Sequence, residues 1–298
     1  MGRAQVLGNS RMKAVGRRAA YVMIAPITAV LVAMLAIPLL VDLVYAVSNV
    51  TFETIRAPSF AGVRNFALVF ADRDFWNAML FSLRFALLVT IAQVSLGLVL
   101  AIFLAPLLKA WPWLMAILML PMMVAPALVG LMYRLILHEF AGVVPYYLYL
   151  FFGDSPSFLG AQNAFWTLVV VETLQWTPFA LLILYSAYAA IPLEVREAAA
   201  IDGAGVWATL RRIDLPWMRP TVLVVAFIRF IDSFRVFDNV YVLTGSGAGG
   251  NTTTVSIYIY LAFFKQDDIG LAVAASIVLL VLSFLVLAGV LRLTERRP

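Results

Sequence analysis

The sequence predicts an all-α integral membrane protein with six transmembrane helices and both termini in the cytoplasm. Three observations carry this. First, of 298 residues, 64% are hydrophobic and 12% charged, about half of the roughly 25% charged residues of a soluble domain. Second, six apolar runs are each long enough to cross a hydrocarbon core of about 30 Å. Third, basic residues gather in alternate connecting segments. On one side fall Arg3, Arg11, Lys13, Arg17, Arg18, Lys109, Arg196, Arg211, Arg212, Arg219, Arg292, Arg296 and Arg297; the loops of the other side hold Arg56, Arg64, Arg73 and Lys265. The positive-inside rule assigns the first set to the cytoplasm. Membrane insertion thus accounts for the net charge of +5, and no nucleic-acid partner is implied.

Residues 1–20 form a basic tail without an acid. The first span, 21–47, exceeds the roughly 7–15-residue core of a signal peptide and ends in no small-residue cleavage site. Its Pro26 and Pro38 are tolerable in a membrane helix. Residues 48–76 are an outer loop, in which Asn65, Phe66, Phe70, Phe75 and Trp76 predict a helix lying at the interface. The second span, 77–104, carries Arg84 in its outer part, within reach of water or of Asp74. Pro121 and Pro126 predict a bend in the third span, 114–137. Tyr146, Tyr147 and Tyr149 in outer segment 138–164 read as interface anchors. The remaining spans are 165–190, 220–243 and 269–291, completing a transmembrane domain of 21–291 before a basic tail, 292–298. Gly245 to Gly250 is an outer flexible loop; it lacks the flanking strand and helix that a dinucleotide fingerprint needs.

The chain has no cysteine and a single histidine, His138, so thiolate chemistry, disulfides and His/Cys metal clusters are excluded. A membrane enzyme would need a nucleophile or a metal cluster, and one histidine, no cysteine and no paired carboxylates on one helix argue against it. The only lysines are Lys13, Lys109 and Lys265, and none follows a glycine, so there is no P-loop.

The polar island 190–219 stands apart from the apolar runs on either side. Leu193 to Ala200 is rich in good helix formers. Asp202-Gly203 is a turn signal. Val206 to Ile213 starts a second short helix that Pro216 is expected to stop. Glu197-Ala198-Ala199, Asp202-Gly203-Ala204, and Ile213, Leu215 and Pro216 in fixed register resemble the EAA loop of ABC importer permeases. Phe230, Asp232, Phe234, Val236, Phe237, Tyr241, the run Leu243 to Gly247, Thr252 to Thr254, Tyr258 and Tyr260 look like the fifth-span region of the maltose-type sugar permeases. Leu120-Pro121, Pro126 and Gly130 are similar to that group's third span. The match covers roughly residues 114–290. It departs at Gly245-Ser246-Gly247-Ala248, where the group usually has Gly-Gly-Gly-Pro.

The resemblance implies a type I ABC importer permease fold in the bacterial inner membrane. It implies a second similar permease, two copies of a separate ATPase subunit and an extracytoplasmic solute-binding protein as partners. ATP would be bound by the ATPase, so the chain itself needs no cofactor. Glu197, Ala198, Ala199, Asp202, Gly203 and Ala204 would form the joint to that subunit.

Ionisable residues inside a span mark function by default. On the fourth span Glu172, Gln175 and Trp176 share one helical face; on the fifth, Arg229, Asp232, Ser233 and Val236 share another. Arg229 lies roughly 14 Å and Asp232 roughly 18 Å beyond Pro220, and Glu172 roughly 10 Å and Trp176 roughly 16 Å from Phe165, so both sets reach similar depth. Carboxylates, an amide and a hydroxyl beside an indole suit a polyhydroxylated ligand. The resemblance points to a sugar at this level, an oligosaccharide, disaccharide or polyol. The bland alternative is an ion network holding helices together. A glycerol-phosphate cargo would meet Arg229 but also Glu172 and Asp232, and a proton-coupled secondary transporter would have no use for the 190–219 loop.

Overall fold

The computed structural model describes residues 2–245 and 252–295. It is helical throughout apart from one small ribbon of two strands, and it divides into two compact units.

The first unit holds residues up to Ala71 and from Ala262 onward. Its α1 (Gly2–Ala46) contains Pro26 and Pro38 without interruption, and its apolar Tyr21–Ala46 stretch is almost wholly exposed. Strands β1 (Ser48–Asn49) and β2 (Ser59–Phe60) pair antiparallel. The expected surface helix is α2 (Arg64–Ala71). Asn65, buried, donates to the carbonyls of Ala46 and Ser48 at 3.0 and 2.8 Å. This satisfies the end of α1 where it would otherwise leave orphan carbonyls.

The second unit runs from Asp72 to Leu261 and carries every candidate site residue. Helix α3 (Arg73–Phe103) begins four residues before the expected start, because Asp72 caps it by accepting from the Asp74 N–H at 2.8 Å. Arg84 is exposed, and the ion pairs among the described residues include none with Asp74. After a short α4 (Ala105–Ala110), α5 (Trp113–Met123) and α6 (Pro126–Ile136) meet at an 82° bend. The cause is local: Ala125 precedes a proline and adopts ψ 135, out of the helical region that a following proline disfavours. Helix α7 (Val143–Phe152) presents Tyr146, Tyr147 and Tyr149 outward.

Helix α8 (Ala164–Ala189) packs along α3. They pack tightly at Gly97, where a Cβ would lie 2.7 Å from Ala180 Cβ and 3.0 Å from the Leu181 nitrogen. Small residues that let backbones approach are the usual device for packing helices in a membrane. Below that crossing lies one apolar cluster around Ala101, Leu181, Leu184 and Met218, and above it another around Phe85, Leu168, Val171 and Leu243.

The polar island folds as α9 (Leu193–Ile201), α10 (Val206–Thr209) and a π-turn, Leu210–Asp214. Pro216 does not stop it. The chain runs on into α11 (Leu215–Phe234), with Pro216 in the first turn, where a missing N–H costs nothing. The stretch 220–243, expected as one continuous helix, is two: α11 ends at Phe234 and α12 (Asp238–Thr244) follows a break. Val236 thereby leaves the face it was expected to share with Arg229. The carbonyls freed at the break are satisfied from α13 (Val255–Phe264) and the residue before it: Ser256 donates to Arg235 and Thr254 to Val236, both at 3.0 Å. Helix α14 (Ile269–Glu295) closes the described chain. Of the Gly-rich loop, only Gly245 falls within the described residues; Ser246 to Asn251 lie outside them, as do Arg296 and Arg297.

Tyr21–Ala46, Arg73–Phe103 and Ala164–Ala189 are long and apolar enough to cross a membrane, and the bent α5–α6 pair makes a fourth if taken as one span. Helix α11 reaches 20 residues but carries Arg219, Arg229 and Asp232.

The α3–α8 approach makes a direct prediction. Gly97→Leu should lower the melting temperature of the detergent-solubilised protein by several degrees, since overpacking costs about 1–3 kcal/mol. Leu96→Ala, at a position 46% exposed, should leave it within a degree. Equal melting of the two variants would mean that the crossing is loose.

Candidate functional site: a buried polar cluster and an exposed helical loop

The two polar stripes expected on α8 and α11 meet. Arg229 is 1% exposed and Glu172 3%. Arg229 Nη2 lies 3.7 Å from Glu172 Oε1, and Nη1 lies 3.4 Å from Asp232 Oδ2. The guanidinium sits over the Trp176 ring at 4.6 Å from its centroid. Two residues not picked out from the sequence complete the cluster. Gln93 of α3 accepts from Arg229 Nε at 2.8 Å and donates to the Glu172 carbonyl at 2.9 Å. Asn239 of α12 donates through Nδ2 to Glu172 Oε2 and to Gln175 Oε1, both at 2.6 Å. Gln175 in turn donates to the Val124 carbonyl at 3.2 Å, at the α5–α6 break. Gln93 could have been flagged as a lone amide within an apolar helix. Asn239 gave no such signal, because only the break after Phe234 turns it inward.

The candidates divide by exposure. Glu172, Gln175, Arg229 and Ser233 are buried; Trp176 is partly exposed and the Asp232 side chain is 42% exposed. Asp232 also pairs with exposed Arg235 at 3.5 Å. The Ser233 hydroxyl and Arg229 Nη2 are buried without a hydrogen-bond partner. The buried part therefore has the character of an ion network, and Asp232 with part of the indole is what it presents outward. A carboxylate accepts from hydroxyls, and an indole stacks on the apolar face of a sugar ring; one face of this indole is already taken by the guanidinium.

In the 190–219 loop, α9 ends in a Schellman motif. Gly203, at φ +76, donates to the Ala200 carbonyl, and Ala204 donates to the Ala199 carbonyl at 2.9 Å. Only glycine adopts this backbone at no steric cost. Ala199 packs inward; Glu197, Ala198 and Asp202 are exposed. Beside them stand Ile201, Val206 and Trp207, at 86%, 83% and 76% exposure. So the six expected joint residues split into an exposed set and the set that closes the helix. Arg196 was counted from the sequence only as a cytoplasmic charge. It binds Asp214 at 2.9 Å, donates to the Tyr188 carbonyl at 3.3 Å and lies 4.0 Å from the Tyr188 ring centroid. One side chain therefore ties α9 to the end of α8 and to the π-turn that leads into α11.

Comparison with known proteins places the chain in a family. The family described as "Binding-protein-dependent transport system inner membrane component" matches residues 93–297. The chain is 33% identical over 280 residues to the trehalose/maltose transport system permease protein MalF of Thermococcus litoralis, covering 92% of this chain and 94% of that protein. It is 28% identical over 267 residues to the trehalose transport system permease protein SugA of Mycobacterium tuberculosis, covering 88% and 84% of the two chains. The crystal structure of a bacterial ABC transporter involved in import of the acidic polysaccharide alginate aligns with a TM-score of 0.82, over 97% of this chain and 99% of that one, at 21% identity; that likeness is one of fold. On the family match and the Thermococcus relative together, this chain belongs to the inner membrane components of binding-protein-dependent transport systems.

Proposed function

We propose that the chain is the permease subunit of an ATP-driven importer for a sugar, supplying half of the translocation pathway. The observation that carries this is the pairing of a polar cluster between α8 and α11 with a helical loop directly between those helices. Relatives named for trehalose and maltose transport support the sugar class, as does the chemistry of Asp232 beside an indole. Six spans with both ends in the cytoplasm complete the reading: the apolar runs 21–47, 77–104, 114–137, 165–190, 220–243 and 269–291, with charge distribution as its support. The loop 190–219 then faces a separate ATPase, which Glu197, Ala198 and Asp202, with Ile201, Val206 and Trp207 alongside, would meet. Ala199, Gly203 and Ala204 would hold that surface in shape. A second permease, an extracytoplasmic binding protein and a bacterial inner membrane belong to the same reading.

At the cluster, Trp176 and Asp232 are the groups proposed to touch the sugar. Glu172, Gln175, Arg229 and Ser233 would lie behind them, with Arg229 holding both Asp232 and the indole in position. With its side chain 42% exposed, Asp232 is screened by water, so a hydrogen bond from a sugar hydroxyl to it is worth about 1.5 kcal/mol, a factor of roughly ten in binding. Asp232→Asn and Trp176→Ala should therefore cut sugar import roughly tenfold while the protein remains assembled in the membrane at its normal level. Val170→Ala, on an exposed position of the same helix, should import normally. Parental import by both Asp232→Asn and Trp176→Ala would remove these residues from the pathway.

The loop is tested separately. Gly203→Val places a β-branched residue at φ +76, a strain of about 1–2 kcal/mol, and should uncouple ATP hydrolysis from import without loss of membrane protein. Gly205→Ala is the control, since a Cβ there meets nothing within 4 Å. Wild-type coupling in Gly203→Val would place the joint elsewhere.

Sidedness is read by cysteine labelling, for which the chain offers a clean background. In intact cells an impermeant thiol reagent should modify Asp154→Cys and spare Arg212→Cys until the membrane is opened. The reverse pattern would invert the topology and sever the loop from any cytoplasmic ATPase.

A further inference from the structure

The start of α11 carries a feature that the proposed sugar site leaves unused. A groove of about 360 Å³ opens between α3 and α11, lined by Leu98, Arg211, Leu215, Pro216, Arg219 and Val222. Its walls are apolar and its only charges are two guanidinium groups. Both arginines are exposed, and neither takes part in an ion pair or side-chain hydrogen bond among the described residues. Arg196 and Arg229, by contrast, are each held by a carboxylate. Trp217 on the same turn of α11 is 54% exposed. Trp111 and Trp113, which follow Lys109, are 55% and 57% exposed and stack on each other at 6.3 Å. Exposed tryptophans beside basic residues mark the level of the lipid headgroups.

We propose that this groove binds an anionic phospholipid, with its phosphate between Arg211 and Arg219 and the start of an acyl chain against Leu98, Leu215 and Val222. The two halves of the site select this occupant together. A soluble anion would gain nothing from the apolar wall. An apolar partner surface would leave two unpaired guanidinium groups against it. A zwitterionic lipid brings its own cation, which opposes the arginines. Basic pockets between membrane helices on the cytoplasmic side are a recurrent form of headgroup recognition. Because Arg211 lies within the π-turn and Arg219 within the first turns of α11, the lipid would rest on the segment that joins the loop to the polar cluster.

Assignment to the inner leaflet rests on the sidedness proposed above; the binding itself does not, and nanodiscs with identical leaflets separate the two. The assembled importer is reconstituted in phosphatidylcholine nanodiscs containing phosphatidylglycerol, and retained lipid is read by native mass spectrometry. One phosphatidylglycerol per permease should persist, preferred over phosphatidylcholine by about thirty-fold, equivalent to about 2 kcal/mol. The Arg211→Gln/Arg219→Gln double variant should retain less than a tenth of it. Arg212→Gln, which removes one positive charge at the position next to Arg211, should retain it in full. Equal retention of both lipids by the parent protein overturns the proposal, and no variant's folding can confound that result. So does a double variant that holds phosphatidylglycerol as the parent does, or a photo-crosslinker at Leu98 that captures a protein subunit and no lipid.

Discussion

A guanidinium cannot shed its charge in a protein, and Arg229 keeps its own at 1% exposure. Burying such an ion costs several kcal/mol unless it is paired and hydrogen-bonded. Much of the second unit is arranged around meeting that demand. Glu172 comes from α8, Asp232 from the next turn of α11, Gln93 from α3 and the indole of Trp176 from α8. Gln93 and Gly97 lie four residues apart, on one face of α3. The glycine that lets α3 approach α8 closely thus also carries the amide into reach of both Arg229 and the Glu172 backbone.

Two interruptions of regular helix serve the same cluster. The α5–α6 break exposes the Val124 carbonyl, and Gln175 satisfies it. The α11–α12 break turns Asn239 inward, where it holds Glu172 and Gln175 together. Non-helical backbone at membrane depth is tolerated only where protein or an aqueous cavity satisfies the freed groups. Here amides and hydroxyls do so, which makes the breaks part of the fold's hydrogen-bond accounting. In the first turns of α13, Ser82 accepts from the Val255 N–H and Tyr258 donates to Asp72 at 2.6 Å, fixing the segment whose hydroxyls satisfy the second break.

The loop is joined to this cluster by short rigid links. Arg196 fastens α9 to the last turn of α8 and, through Asp214, to the π-turn at the foot of α11. The exposed face of α9 is thereby connected directly to both helices that carry the polar residues. π-Turns are costly and recur at functional sites; this one lies between the proposed ATPase contact and the helix bearing Arg229.

The sequence by itself determined what depends on composition and local chemistry. Apolar length, basic-residue placement and the register from Glu197 to Pro216 were enough for the membrane class, the family and the helix–turn–helix of the loop, down to the glycine turn. Pro126 announced the α5–α6 break, because the residue before a proline is driven out of the helix by its own neighbour. Helical spacing put Glu172, Gln175, Trp176, Arg229 and Asp232 on the right faces. Tertiary structure alone decided the rest. Nothing local breaks 220–243: no glycine or proline lies near Arg235, and the helix ends there because Ser256 and Thr254 take up its carbonyls while Asn239 is needed by two buried acceptors, the Glu172 carboxylate and the Gln175 amide oxygen. Pro216 looked like a stop, yet the widened turn before it lets the helix pass. Periodicity also could not separate the buried Glu172 and Arg229 from the partly exposed Trp176 and Asp232, since it assigns a face but not what lies against that face.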